Sequence, residues 1–528
     1  MTLVDRASPP VHAPGVAARR ETVSSRAASV AERLVAFSWL LPLAIIGAIG
    51  ARRWGQLGSP VSGLDGGQWL ALGRGLLGGE GRSTDGAYPP LVPLLVTAMR
   101  TLVGPMVAAR AVGIGSLALV MIAVYLAARG GSNPWFATMA AATVGMASVV
   151  AEPVAYGGYP QNYALAALVA GTYALGRFFT AGGRWRLAGA AAAMAAAALA
   201  HHMYFPVTAV VAIGVWLVWL TTRPAAGMAR RRTLGAVVAG GIAIACYLPT
   251  AIAFRLAGYD PPVNANHQGF WAALRYGVRE APTIWTVVLV AGVIGLLLTW
   301  RERHATWSVT ASMIAATALL FPVTSEVRLL PPLILGGTLG LTLGLQAIWG
   351  WLRERGTWPG RLAWGAVVAA TLAPALLWPR ADAQANDFVR YYRVVDPGLL
   401  AVARFVDRYP ETGLVAVRES PRGWPVGWWF EGLTDARVAV GSNEKWLGFP
   451  SERDQARVAS ALFGGRRTGA AEVKVAHDEG VELLVFRKWE WIGWKRWQAE
   501  PSPATEVLYD DGEWMVVRVG LSAAATGS

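Results

Sequence analysis

Hydrophobic and polar positions divide the chain into two regimes. Over the first 379 residues, apolar runs close to the ~20 residues a helix needs to cross a bilayer recur between short polar connections. They lie at about 34–51, 107–128, 134–151, 161–180, 186–201, 203–221, 233–254, 283–300, 305–322, 329–351 and 361–379, and they predict eleven transmembrane helices. A shorter run, 89–103, contains Pro89, Pro90, Pro93 and Arg100 and predicts an interfacial helix along the membrane surface. From Arg380 onward charges become frequent. Runs at 413–417, 437–440, 481–486 and 514–519 predict strands, and 397–408 and 451–463 predict helices. The expected architecture is an α-helical polytopic membrane protein with a C-terminal α/β domain. A disordered cytoplasmic tail spans 1–33, a transmembrane domain with a long first external loop at 51–106 spans 34–379, and the extracytoplasmic α/β domain spans 380–528.

Composition excludes a wholly soluble chain, because 54% of the residues are apolar and only 15% charged, against roughly a quarter charged in soluble domains. The net charge of +14 could suggest nucleic acid, so its location decides. Residues 1–379 hold 28 Arg, no Lys and 12 acids, whereas the remainder holds 19 basic and 21 acidic residues. The excess therefore accompanies the spans and concentrates in alternate connections, such as Arg230, Arg231 and Arg232, which places the N-terminus in the cytoplasm. Counting 89–103 as a span would turn those arginines outward. Cys246 is the one cysteine, so intrachain disulfides and cysteine metal clusters are excluded. Four Lys against 43 Arg suggests a GC-rich bacterial genome, and the expected location is a bacterial plasma membrane.

Acids between 34 and 379 are few: Asp65, Glu80, Asp85, Glu152, Asp260, Glu280, Glu302, Glu326 and Glu354. Glu302 and Glu354 sit in Arg-Glu-Arg turns and read as ion-paired; the others fall on the external side. Asp65, within Val61-Ser-Gly-Leu-Asp-Gly-Gly-Gln-Trp69, is either a helix N-cap or a general base at the bilayer surface. Glu152 opens a turn with Gly157, Gly158 and Pro160, in which Tyr156 and Tyr159 offer hydroxyls and ring faces to a sugar or form an aromatic belt, followed by Gln161. His201 and His202 end the fifth span. Adjacent helical residues point ~100° apart, so one of the two is expected to face a ligand such as a phosphate oxygen, with helix capping as the alternative. A metal lacks a cluster at ligand spacing, so no cofactor is expected, with a divalent metal on a histidine as the alternative. Arg328, in Ser325-Glu-Val-Arg-Leu-Leu-Pro-Pro332, pairs with Glu326, snorkels to headgroups or grips a lipid phosphate. The loop Tyr259 to His267 adds His267 to this face. In the tail, Trp424, Trp428, Trp429, Trp446, Trp489, Trp491, Trp494 and Trp497 suit sugar stacking, membrane seating or core packing.

The order of these parts resembles the GT-C superfamily of membrane glycosyltransferases, which includes protein mannosyltransferases and aminoarabinose transferases. The resemblance runs through a first span, a loop with an early acid, Asp85-Gly-Ala-Tyr-Pro-Pro-Leu-Val-Pro93, Ala108-Ala-Arg-Ala-Val112, a second external acid and the late Arg-Leu-Leu-Pro-Pro element. Tyr156-Gly-Gly-Tyr-Pro160, His201-His202 and Gly427-Trp-Trp-Phe-Glu-Gly432 further resemble bacterial membrane proteins with a similar tail. The resemblance implies an inverting transferase that moves a sugar from a polyprenyl-phosphate donor to a hydroxyl of a glycan, lipid or protein. Asp65 and Glu152 would be catalytic, with Asp65 as the base. Arg328, His201, His202, Tyr88, Tyr156, Tyr159, Gln161 and His267 would bind substrate. In this chain Gly66 and Gly67 stand where the family often places a second acid. The alternatives are a lipid-linked saccharide flippase, which would need polar groups at mid-membrane depth, and a non-catalytic envelope scaffold.

Overall fold

The computed structural model describes residues 39–61, 63–78, 88–260, 271, 283–302, 304–324, 326–355, 376, 378–409, 413–464, 470–491 and 505–519. Helix α1 (39–57) leads into a loop bearing α2 (Gly66–Leu76) and α3 (Leu91–Val103). There follow α4 (Pro105–Arg129), α5 (Pro134–Met146), α6 (Ser148–Tyr156), α7 (Tyr159–Ala181), α8 (Arg184–Ala200), α9 (Tyr204–Leu220) and α10 (Ala226–Leu256). The membrane part continues with α11 (Thr283–Leu298), α12 (Ala305–Thr324) and α13 (Leu330–Arg355). All but the last of the eleven expected spans fall on these helices, and 361–379 lies almost wholly outside the described residues. Among the described residues, five helices are long and apolar enough to cross a membrane, or six if the α5–α6 pair, bent by 47°, is one span. The 89–103 run is a helix of 13 residues packed between α2 and α4.

Two features of the sequence let these helices pack. Small residues bring backbones together: a side chain on Gly292 would lie 2.2 Å from the Gly337 carbonyl, and one on Gly295 would overlap Gly340, the close approach that glycine permits between apolar helices. Several buried hydroxyls are satisfied within their own helices: Thr172, Thr208, Thr310, Thr338 and Thr342 each donate to the carbonyl four residues earlier. On α10, Leu234, Val237, Ile244, Leu248 and Ile252 are half or more exposed, an apolar surface of the kind lipid covers.

After helices α14 (378–391) and α15 (Pro397–Asp407), the chain forms β1 (Leu414–Val417), α16 (Gly427–Leu433), β2 (Arg437–Val440), α17 (Pro450–Gly464), α18 (Ala470–Asp478), β3 (Val481–Arg487), β4 (Thr505–Asp510) and β5 (Trp514–Val519). The sheet order is β2-β1-β3-β5-β4, with β2, β1 and β3 parallel and β5 antiparallel to both neighbours. Period-two alternation separates its faces. Ala416, Leu484, Phe486 and Val517 pack beneath α17 and α18, while Val415, Val417, Val485 and Val516 join the core that continues into the membrane part. The four expected strands are present. Strand β4 is not among the expected strands: its short run Val507-Leu508-Tyr509 is flanked by Glu506 and Asp510 and lies at the sheet edge.

The C-terminal part docks on the first loop. Trp429 is fully buried, and a Cβ on Gly67 would lie 2.4 Å from its Cα, while one on Gly66 would lie 2.7 Å from its ring. Its indole N–H donates to the Gly63 carbonyl at 2.7 Å. Around this wedge Arg74 donates to the Thr434 carbonyl and pairs with Asp435 at 2.7 Å, Arg100 donates to the Gly432 carbonyl at 3.2 Å, and Arg52 pairs with Asp382 at 2.6 Å. Of the tryptophans, Trp424, Trp428, Trp429 and Trp491 are core, Trp489 is exposed, and Trp494 and Trp497 lie outside the described residues. Core packing thus accounts for most of the described ones. Trp429→Ala removes a fully buried indole and is expected to destabilise the protein by about 3–5 kcal/mol, read as a lower melting temperature in detergent. Gly67→Ala should act in the same direction by steric overlap, and unchanged melting of both variants would contradict the docking.

Candidate active site

Asp65 sits where three segments converge. Its backbone N–H and that of Leu64 donate to the Tyr156 carbonyl at 2.8 and 2.6 Å, and the Trp69 indole donates to the Gly157 carbonyl at 2.5 Å. Gly157 has φ of +100° and ends α6, and a Cβ there would lie 2.7 Å from the Gly66 nitrogen. Glycine is therefore required on both grounds. Asp65 does occupy the N-cap position of α2, yet its backbone is helical (φ −86°, ψ −8°) and its side chain makes no capping bond. The N-cap reading is corrected: capping needs an extended residue whose oxygen turns back on the helix, and here the carboxyl remains available for other work. Burial pushes its pKa from an ordinary 3.8 up to about 7, against the opposing pull of the Arg328 charge.

Arg328 lies on the short 3-10 turn Val327–Leu329, whose backbone is anchored by the Tyr204 hydroxyl donating to the Arg328 carbonyl at 2.7 Å. Its Nη1 meets Met203 Sδ at 3.3 Å, and its Nε stands 3.9 Å from Glu326 Oε1, an oxygen that already accepts from the Arg328 backbone N–H at 3.1 Å. These contacts engage only part of a guanidinium's donor set. Met203 and Tyr204 are contributors that the sequence did not single out.

The histidine pair differs from expectation. Helix α8 ends at Ala200 and His201 is extended (φ −154°, ψ 123°), so the two rings are not splayed around a helix but stack at 4.8 Å and 15°. The expectation that only one could face a ligand is corrected, because it assumed helical geometry. His201 Nδ1 accepts from the Met203 N–H at 3.2 Å, so its proton sits on Nε2, and His202 Nδ1 is buried with no hydrogen-bond partner among the described residues. Burial, with Arg328 close by, keeps both neutral and brings His202 down to about 3. Tyr88 bridges the two halves, with its ring 4.7 Å from Trp69, 5.8 Å from His202 and 6.3 Å from His201.

Glu152 is carried on α6, one turn before the Tyr156 carbonyl that holds Asp65, and its Oε1 accepts from the Tyr392 hydroxyl at 2.7 Å. Tyr156 donates to Gln161 Oε1 at 3.1 Å. Tyr159 is different: its ring is fully buried and lies where a Cβ on Gly113 would be 2.7 Å away, so its faces are closed to a sugar and that expectation is corrected. His267, Glu80 and Asp85 lie outside the described residues. Asp260 turns to the C-terminal part, pairing with Arg453 at 3.3 Å. Asp65, Tyr88, His201, His202, Arg328, Tyr156, Gln161 and Glu152 thus gather around one junction of loops.

No protein-family model and no curated protein matches the sequence. Solved structures do match. The arabinofuranosyltransferase AftD from Mycobacteria aligns with a TM-score of 0.56 at 16% identity over 91% of this chain, which spans 40% of AftD. ArnT from Cupriavidus metallidurans, in the apo state, aligns with a TM-score of 0.53 at 14% identity, covering 92% of this chain and 98% of ArnT. The apo oligosaccharyltransferase of Archaeoglobus fulgidus gives 0.51 at 12% identity over 84% and 69%. At such identities the likeness is one of fold, and the chain has the membrane fold of the GT-C glycosyltransferases.

The raised pKa of Asp65 has a consequence for stability. An unfolded aspartate ionises near 3.8 and the folded one near 7, so in that window the native state binds the extra proton and stability falls as pH rises. Above about 7 both states are ionised and the full desolvation cost is present. Asp65→Asn carries no charge to desolvate. Its melting temperature relative to the unsubstituted protein is expected to rise steadily from pH 4 to pH 8, and a difference independent of pH would contradict the burial of this carboxyl.

Proposed function

We propose that the protein is an inverting glycosyltransferase that moves a sugar from a polyprenyl-phosphate donor to an acceptor hydroxyl on the extracytoplasmic face of the membrane. The observation that carries this reading is the meeting of a half-buried carboxyl, Asp65, with Arg328 and two neutral imidazoles at one loop junction. The GT-C fold supports it, as does ArnT, which shares that fold and has been captured with undecaprenyl phosphate. The middles of the apolar runs are almost purely Ala, Val, Leu and Gly, which weighs against a polar path through the membrane and hence against a flippase.

Each part has a task. Asp65 takes the proton of the acceptor hydroxyl; its pKa of about 7 suits a base that must be ionised yet still hold a proton near neutral pH. The freed oxygen attacks the anomeric carbon from the face opposite the phosphate. The C–O bond to the phosphate breaks and its electron pair leaves on the phosphate oxygen. Arg328, the Nε2–H of His201 and the ring N–H of His202 stabilise that oxygen, a cation with neutral donors that suits a singly charged phosphodiester becoming a phosphomonoester. Glu152 orients the acceptor hydroxyl. Products are the glycoside and the polyprenyl phosphate, and the proton on Asp65 returns to water.

The test is incubation of the purified protein with radiolabelled polyprenyl-phosphate sugars and membrane extract. Asp65→Asn is expected to lower kcat by roughly 10²–10⁴-fold, the range for losing a general base, with little change in donor KM. Arg328→Ala should raise the donor KM about tenfold or more. In the unsubstituted protein kcat/KM should climb with pH to a plateau above about 7, because the ionised carboxylate is the active form. A lipid-linked donor that binds and is never transferred, or an Asp65→Asn protein with full activity, would overturn the reading.

A further inference from the structure

Glu152 belongs to the membrane part, but the hydroxyl that meets it comes from 240 residues further along the chain, from Tyr392 beyond the end of α14. The Tyr392 ring is fixed on several sides. Tyr156 lies 5.5 Å from it, Trp424 stacks on it at 5.7 Å and 27°, and Tyr391 meets it edge-on at 4.9 Å. Trp424 is buried and lies beneath the Arg422 guanidinium at 5.0 Å. A ring so enclosed delivers its O–H in one direction. Tyr156, whose ring is tilted 58° against that of Tyr392, is the residue whose carbonyl receives the Leu64 and Asp65 amides. One aromatic cluster therefore touches the supports of both carboxyls.

We propose that Tyr392 is a positioning residue for Glu152, and that the C-terminal domain completes the active site by orienting this second carboxylate. The proposal rests on the catalytic reading of Glu152 given above. The donated hydrogen bond holds the Glu152 carboxylate in one orientation. The Trp429 wedge brings the domain to the first loop, and Tyr392 carries that placement to Glu152. The competing view is that the bond merely helps the two parts adhere.

Tyr392→Phe separates these views, since it keeps the ring in its stack and removes only the hydroxyl. The melting temperature and donor KM are expected to stay unchanged while kcat falls on the order of tenfold, the size of one charge-assisted hydrogen bond. In a Glu152→Gln background Tyr392→Phe should have no further effect, and Tyr391→Phe should leave kcat unaltered. Wild-type kcat in Tyr392→Phe, or an equal loss in the Glu152→Gln background, overturns the proposal. An infrared arm needs no turnover. The Glu152 carboxylate stretch, taken as the unsubstituted minus Glu152→Gln difference spectrum, should shift on Tyr392→Phe, and an unshifted band also overturns it. If no donor is turned over at all, the glycosyltransferase reading has failed, and the infrared result alone decides whether Tyr392 orients Glu152.

Discussion

The insertion of the Trp429 indole between Gly63, Gly66 and Gly67 fixes the loop on which the candidate base stands. An indole can lie against backbone there only because the two central residues lack side chains. Gly157 makes the same concession from the other side, where α6 ends against the Asp65 and Gly66 amides. Asp65 is thus gripped through its backbone, by the Tyr156 carbonyl, and its carboxyl does not cap α2. The Gly66–Gly67 pair is explained by this contact. It makes room for a tryptophan.

Charge in the site is sparse by construction. The charge of Arg328 reaches the half-buried Asp65 carboxyl, the two form no ion pair among the described residues, and the nearby imidazoles are kept neutral by burial. A tight Asp65–Arg328 pair would hold the acid ionised at low pH and would occupy the donors of the arginine. Without such a pair, burial leaves the acid titrating near neutrality. The geometry suits a site that must receive an anion and a hydroxyl rather than neutralise itself.

The membrane part solves a different problem. Its helices are apolar almost throughout, so hydrophobicity cannot choose their partners, and association rests on shape. Gly292, Gly295, Gly337 and Gly340 allow two helices to approach to backbone contact, and threonines hide their hydroxyls on their own carbonyls. The result is a support for the helix ends and loops that carry the candidate functional side chains.

Apolar run length alone located most of the helices, and period-two alternation located four strands of the sheet, because burial against lipid or a core acts on each segment locally. The scarcity of acids likewise pointed to Asp65 and Glu152, and the late Arg-Leu-Leu-Pro-Pro element to Arg328. Tertiary structure decided what those residues face. The stacking of His201 on His202 depends on one residue leaving helical geometry, the enclosure of Tyr159 on its packing against Gly113, and the partnership of Glu152 with Tyr392 on the docking of a domain that begins more than two hundred residues later. Such contacts join segments remote along the chain. Their energies depend on the relative placement of whole elements, which no local pattern of residues encodes.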